Sequence, residues 1–142
     1  MKRFFSASAL MMFIVALSIG TGYAAEHSGE HHTVVATLGA DGVQRIEMVG
    51  GSYFFDPDRL VVKVNVPVEI TIRKEKGFVP HDIAMDVPDA GMKFNVELKT
   101  TPSVIRFTPT RTGTFPFACT KKLLFLKSHK DHGMKGEIEV VP

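Results

Sequence analysis

Beyond residue 24, no stretch of about twelve residues or more carries apolar side chains at a helical period, and this most narrows what the chain can fold into. In its place stand short runs rich in Val, Ile and Phe, spaced by about ten residues and separated by Gly, Pro and Asn. Val68-Glu69-Ile70-Thr71-Ile72-Arg73 alternates apolar and polar side chains, the period of a strand with one buried face. Residues 60–64 and 103–107 are likewise short and rich in Val or Ile, with turn residues between them. Residues 114–120 place Phe115, Phe117 and Cys119 on one face, and residues 137–141 place Ile138 and Val140 on one face. Residues 33–38 and 43–49 flank Gly39-Ala40-Asp41-Gly42, which reads as a hairpin turn. Residues 121–128 are the one candidate for a helical turn. Without crossover helices a parallel sheet is not expected, and the pattern implies an all-β chain, an antiparallel Greek-key β-sandwich.

The first two dozen residues differ from the rest. Lys2 and Arg3 precede an apolar run over residues 9–19, and Gly22-Tyr23-Ala24 supplies the small residues that a signal peptidase reads. The run is shorter than the roughly 20 apolar residues that a bilayer requires. The expected organisation is a signal peptide over residues 1–24, a flexible histidine-rich leader over 25–32 and one domain over 33–142, exported to the periplasm; a retained membrane anchor is the alternative. Removing residues 1–24 lowers the formal net charge from +2 to 0. That balance disfavours nucleic acid as a partner, because displacing counterions from phosphates requires an excess of Lys and Arg. A cut after Ala24 would also expose Ala25-Glu26-His27, whose amine, two amides and imidazole suit a second, square-planar Cu(II), with His31 and His32 to assist.

Cys119 is the one cysteine, so no intramolecular disulfide can form. In an exported chain it is an intermolecular bridge, a buried thiol or a metal ligand. His81, in Val79-Pro80-His81-Asp82, together with His129 and with Met134 in Gly133-Met134-Lys135-Gly136, completes a set of two imidazoles, a thiolate and a thioether. Soft sulfur with imidazole suits copper in both oxidation states, whereas a zinc site would more often show four Cys or His ligands at short spacings. His132 competes with His129. A two-residue separation from Met134 leaves little room for both side chains to reach one ion, which favours His129.

The stretch from Gly51 to Pro142 resembles the cupredoxins, the small blue copper proteins. The resemblance rests on Tyr53-Phe54-Phe55-Asp56-Pro57, on Leu60-Val61-Val62-Lys63-Val64-Asn65-Val66-Pro67-Val68, on Phe78-Val79-Pro80-His81-Asp82, on Ile105-Arg106-Phe107-Thr108-Pro109, on Gly113-Thr114-Phe115, and on Phe117-Ala118-Cys119 with His129 and Met134-Lys135-Gly136. It implies one mononuclear copper held by His81, Cys119 and His129 with Met134 as axial thioether. It also implies one-electron transport without catalysis, with a redox partner such as a cytochrome or an oxidoreductase; the electron port is His129 if the edge of its imidazole reaches solvent. Two features depart from the family. Nine residues separate Cys119 from His129 where relatives have two to four, and Asn65 stands where relatives often carry glycine; Asn tolerates the positive φ this turn needs. Lys121, Lys122, Lys127, Lys130 and Lys135 crowd the same segment and would steer an acidic partner. Leu123-Leu124-Phe125-Leu126 is expected to cap the core. A copper carrier without redox traffic, or a module of a metal-uptake system, is the rival function.

Overall fold

A computed structural model describes residues 31–122 and 127–142. The expected signal peptide, leader residues 25–30, the Ala25-Glu26-His27 set and the Leu123–Leu126 cap lie outside the described residues.

Eleven strands and one 3-10 turn (Pro88–Ala90) make up the described elements: β1 (Thr33–Val35), β2 (Thr37–Leu38), β3 (Gln44–Gly51), β4 (Phe54–Asp56), β5 (Arg59–Lys63), β6 (Val68–Lys74), β7 (Asp82–Val87), β8 (Met92–Glu97), β9 (Ser103–Phe107), β10 (Gly113–Ala118) and β11 (Lys135–Val141). One sheet runs in the order β1-β5-β11-β10-β7-β8, and the other runs β2-β3-β6-β9 with β4 paired to β3. The sandwich is all-β as expected, and its sheets are mixed: β1 with β5, β5 with β11 and β3 with β6 run parallel. Parallel neighbours need a long connection, usually a helix. Here β5 of the facing sheet supplies it, since the chain leaves β3, forms β4 beside it, crosses to β5 and returns as β6.

Residues 33–38 divide between the sheets at Ala36, whose N–H donates to the Val61 carbonyl at 2.9 Å. The part that pairs across the Gly39–Gly42 turn is β2, with Thr37 opposite Arg45 and Leu38 opposite Gln44. Asn65 adopts φ 58° and donates its N–H to the Pro109 carbonyl at 2.7 Å. β7 and β8 were not anticipated. β8 carries a signal as plain as that of β6, because Met92-Lys93-Phe94-Asn95-Val96-Glu97 alternates throughout.

The core lies between the sheets. Val68, Ile70 and Ile72 of β6 face Leu60 and Val62 of β5, Phe115 and Phe117 of β10, and Ile138 and Val140 of β11, all buried. The Phe55 and Phe117 rings meet edge to face at 5.3 Å. Buried Gln44 is fully used: its amide nitrogen donates to the Lys63 and Val66 carbonyls and its oxygen accepts from the Lys63 N–H. Polar atoms held this way escape the cost of unpaired burial. At one end of the sandwich β10 meets β7 at a single register pair, Ala118 opposite Ala84. Pro116 offers no N–H to a neighbouring strand. That one pair sets Cys119, the residue after β10, beside His81 and Asp82 at the start of β7.

Gly136 lies opposite Phe117, and a Cβ there would overlap both the Asp58 carbonyl oxygen and the Phe117 ring. Gly136→Ala should therefore cost about 1–3 kcal/mol in chemical denaturation, as overpacking of a filled core does. Gly77→Ala, with open space around it, should change stability little. Equal midpoints for the two variants would contradict this packing.

Candidate metal centre

Three side chains from separate parts of the chain converge at this pole. His81 Nδ1 lies 3.1 Å from His129 Nδ1, and Cys119 Sγ lies 3.5 Å from the same nitrogen. One ligand atom from each of the three residues lies within 4.8 Å of the others. His81, Cys119 and His129 are 3%, 1% and 2% exposed. Met134, the fourth member of the sequence set, is wholly buried in the hydrophobic core that also holds Cys119, and it accepts the Cys119 N–H on its carbonyl at 3.0 Å. His132 is exposed and stands outside the three-residue group.

The nine-residue excursion between Cys119 and His129 closes on itself. Lys122 and Ser128 form an antiparallel bridge, and the His129 N–H donates to the Lys121 carbonyl at 3.0 Å. The ends of the expected helical turn at 121–128 are thus a narrow neck, which returns the chain to where it left. The helix-like turn comes next. His132 N–H donates to the Ser128 carbonyl, and Met134 N–H to that of His129. Ser128 and Asp131 cap this turn reciprocally: the Ser128 N–H and hydroxyl donate to the Asp131 carboxylate, and the Asp131 N–H donates to the Ser128 hydroxyl. Gly133, at φ 98°, ends it.

Sequence reasoning missed two residues that hold this geometry. Asp82 is 3% exposed. Its carboxylate accepts the Thr120 N–H and the Thr120 hydroxyl, each at 2.5 Å, and its own N–H donates to Cys119 Sγ at 3.5 Å. The carboxylate thereby joins the two loops that carry His81 and Cys119; its place beside one ligand, and that of Thr120 beside another, was the available signal. The other missed residue is Tyr53. Its ring meets His129 at 5.0 Å and His81 at 6.0 Å, edge-on to both, and meets His132 at 4.9 Å, tilted by 39°.

The structure corrects one expectation. An electron port at the His129 edge requires that edge to reach solvent, yet the residue is 2% exposed, and its Nε2 is buried with no hydrogen-bond partner among the described residues. The rings of Tyr53 and His81 pack against the imidazole. His31 and His32, assigned to a leader without fold, bond through Nδ1 to Asp58 and Asp56.

Burial pushes His81 down to about 4, helped by the charges of His129 and Lys74 and opposed by Asp82. Burial also lowers His129, helped by His132. It raises the Cys119 thiol, against the N–H groups of Asp82 and Lys121. Both imidazoles are therefore neutral donors near pH 7, and two nitrogens with one sulfur suit copper. As pH falls from 6.5 to about 4, the unfolded chain takes up a proton that folded His81 refuses. The metal-free protein should lose the His81 contribution to stability across this window, and His81→Gln should make the dependence between pH 6.5 and about 4 shallower. Denaturant titrations at several pH values read this directly; a flat wild-type profile would refute it.

No protein-family model matches the chain, and no curated protein matches it. Solved structures do. The metal-binding domain of the Cu(I)-exporting P-type ATPase CopA of Streptococcus pneumoniae D39, solved with Cu(I), matches at TM-score 0.61 with 23% identity, covering 80% of this chain and 100% of that one. A copper binding protein solved in the apo form matches at TM-score 0.57 with 24% identity, over 79% of this chain and 100% of that one. Reduced auracyanin of Roseiflexus castenholzii matches at TM-score 0.54 with 19% identity, over 69% and 97%. By the order of its strands and by these likenesses, the chain has the cupredoxin fold.

Proposed function

We propose that the protein is an exported one-electron carrier with a single mononuclear copper that His81, Cys119 and His129 would hold, with Met134 supplying a thioether. The observation that carries this reading is the buried convergence of two imidazole nitrogens and one thiol sulfur at 3.1 and 3.5 Å. Copper bound by such a set would cycle between Cu(I) and Cu(II). The chain's own part is to hold the donors still. Asp82 ties the two ligand loops and gives its N–H to the sulfur, the neck at Lys122 and Ser128 fixes where His129 returns, and burial keeps water from all three donors. No substrate is transformed. The signal-like residues 1–24 support export to the periplasm.

The rival reading, a copper carrier without redox traffic, draws on the likeness to the metal-binding domain of an exporting ATPase. The two differ in retention. An electron carrier keeps its copper through repeated oxidation and reduction, whereas a carrier of copper yields it to a competing chelator.

The copper-loaded protein should show an intense thiolate-to-copper band that Cys119→Ser abolishes, since a hydroxyl is a hard, poorly ionised substitute. His129→Ala should remove the same band, and His132→Ala should leave it. An unchanged spectrum in Cys119→Ser would sink the assignment.

Lys122, Lys127, Lys130 and Lys135 are exposed, Lys121 is half-buried, and none forms an ion pair among the described residues. They support an acidic redox partner. Changing Lys121, Lys122 and Lys127 to Glu should slow electron exchange with an acidic cytochrome at low salt. The difference should shrink near physiological ionic strength, where exposed charges are screened over about 8 Å. A rate of the unmodified protein that ignores salt would leave these lysines as a solvated face.

A further inference from the structure

Tyr53 sits in a segment that the sequence does not mark as functional, between β3 and β4, where the backbone is unusual. Ser52 and Tyr53 adopt φ 44° and 67°, two consecutive non-glycine residues in the left-handed region, and a bulky aromatic is seldom placed there. Such strain persists where the surrounding structure holds it, and it gathers at functional sites. The conformation brings the Tyr53 ring edge-on to both buried imidazoles at once, at 85° to His129 and 89° to His81. Exposed His132 packs against the same ring at 4.9 Å. Tyr53 itself is half-buried, so it stands between the donors and solvent. On the His81 side the ring also borders a surface cavity of about 200 Å³, lined further by Lys74, Phe78 and Val79.

We infer that Tyr53 is the cover of the metal centre: its ring closes the imidazole side of the pole, and its removal opens that side to exogenous ligands and to chelators. The inference deepens the copper reading and rests on it for the choice of metal, while the covering of the two histidines stands on the ring geometry. The ring does the work and not the phenol hydroxyl, because the contacts to His81 and His129 are ring contacts. The backbone conformation also makes the ring removable, since glycine takes a φ of 67° without steric cost and Asn tolerates it. Tyr53 is a positioning residue on this account, touching the ligand rings and no ion.

The test uses the full protein with Tyr53→Gly, Tyr53→Asn and Tyr53→Phe. In the Cu(I) form, transfer to bicinchoninate should be at least about tenfold faster in the glycine and asparagine variants, a barrier change of about 1.4 kcal/mol, and unchanged in the phenylalanine variant. In the Cu(II) form, azide should alter the visible spectrum of the first two and leave wild type and Tyr53→Phe as they were. In the metal-free protein, diethylpyrocarbonate should modify His81 and His129 slowly in wild type and faster in Tyr53→Gly, as read by peptide mass spectrometry, with exposed His31 and His32, which do not touch Tyr53, as internal references. Thermal melts of the metal-free variants separate opening from unfolding: each variant should stay folded, with one cooperative transition above the assay temperature, and where the glycine variant does not, Tyr53→Asn carries the comparison. Unaltered transfer, azide response and histidine labelling in both ring-less variants would overturn the cover. Failure of wild type to bind copper would overturn the copper reading instead, and the labelling experiment would still decide on Tyr53.

Discussion

The metal pole depends on a buried carboxylate. Asp82 is 3% exposed, and such a group is stable inside a protein only when its oxygens are well supplied with donors. Thr120 supplies both, one from the backbone and one from the hydroxyl. Hydrogen bonds to an ionised acceptor are worth about 1.5–3 kcal/mol each, and leaving that charge buried and unpaired would cost more than either bond contributes. Because Asp82 follows His81 and Thr120 follows Cys119, the pair that stabilises the carboxylate also fixes the separation of two donors. The backbone alone would do this weakly, since β7 and β10 share only the Ala118–Ala84 pair. Where the ladder ends, the side chains take over.

The rest of the pole is arranged around that tie. His129 and Met134 arrive on a turn whose start is capped by Ser128 and Asp131 and whose end is released by Gly133. The turn's own hydrogen bonds set the spacing of these two residues, and the neck at Lys122 and Ser128 sets its position. A nine-residue separation between Cys119 and His129 is tolerated for this reason. Loop-closure entropy grows slowly with length, so a longer excursion costs little once its ends are pinned.

The sandwich and most of its strands were legible because period-2 alternation is a local property: β6, β9, β10 and β11 announce which face is buried. The mixed sheets were not, since alternation gives the facing of a strand and not the direction of its neighbour. Direction follows from the path between the sheets, as when β3 returns as β6 through two strands of its surroundings. The donors were legible from residue type, with His81, Cys119 and His129 converging and His132 outside the group. Burial of the His129 edge was hidden, because the group that covers it comes from a turn far away in sequence, and nothing in Gly50-Gly51-Ser52-Tyr53 states that two residues there take positive φ.

Charge explains why a closed site can take up a cation. With both imidazoles neutral and the thiol raised by burial, the metal-free pole holds no net charge on its donors near neutral pH. A cation that displaces the Cys119 proton replaces one positive charge with another, so Cu(I) leaves the donor set neutral and Cu(II) leaves it one unit positive. Asp82 is joined to the sulfur through its own backbone N–H, and its carboxylate is held by Thr120, the residue after Cys119. In a low-dielectric interior a charge acts strongly over a few ångströms. The residue that positions the donors is therefore also the one whose charge opposes the effect of burial on both imidazoles.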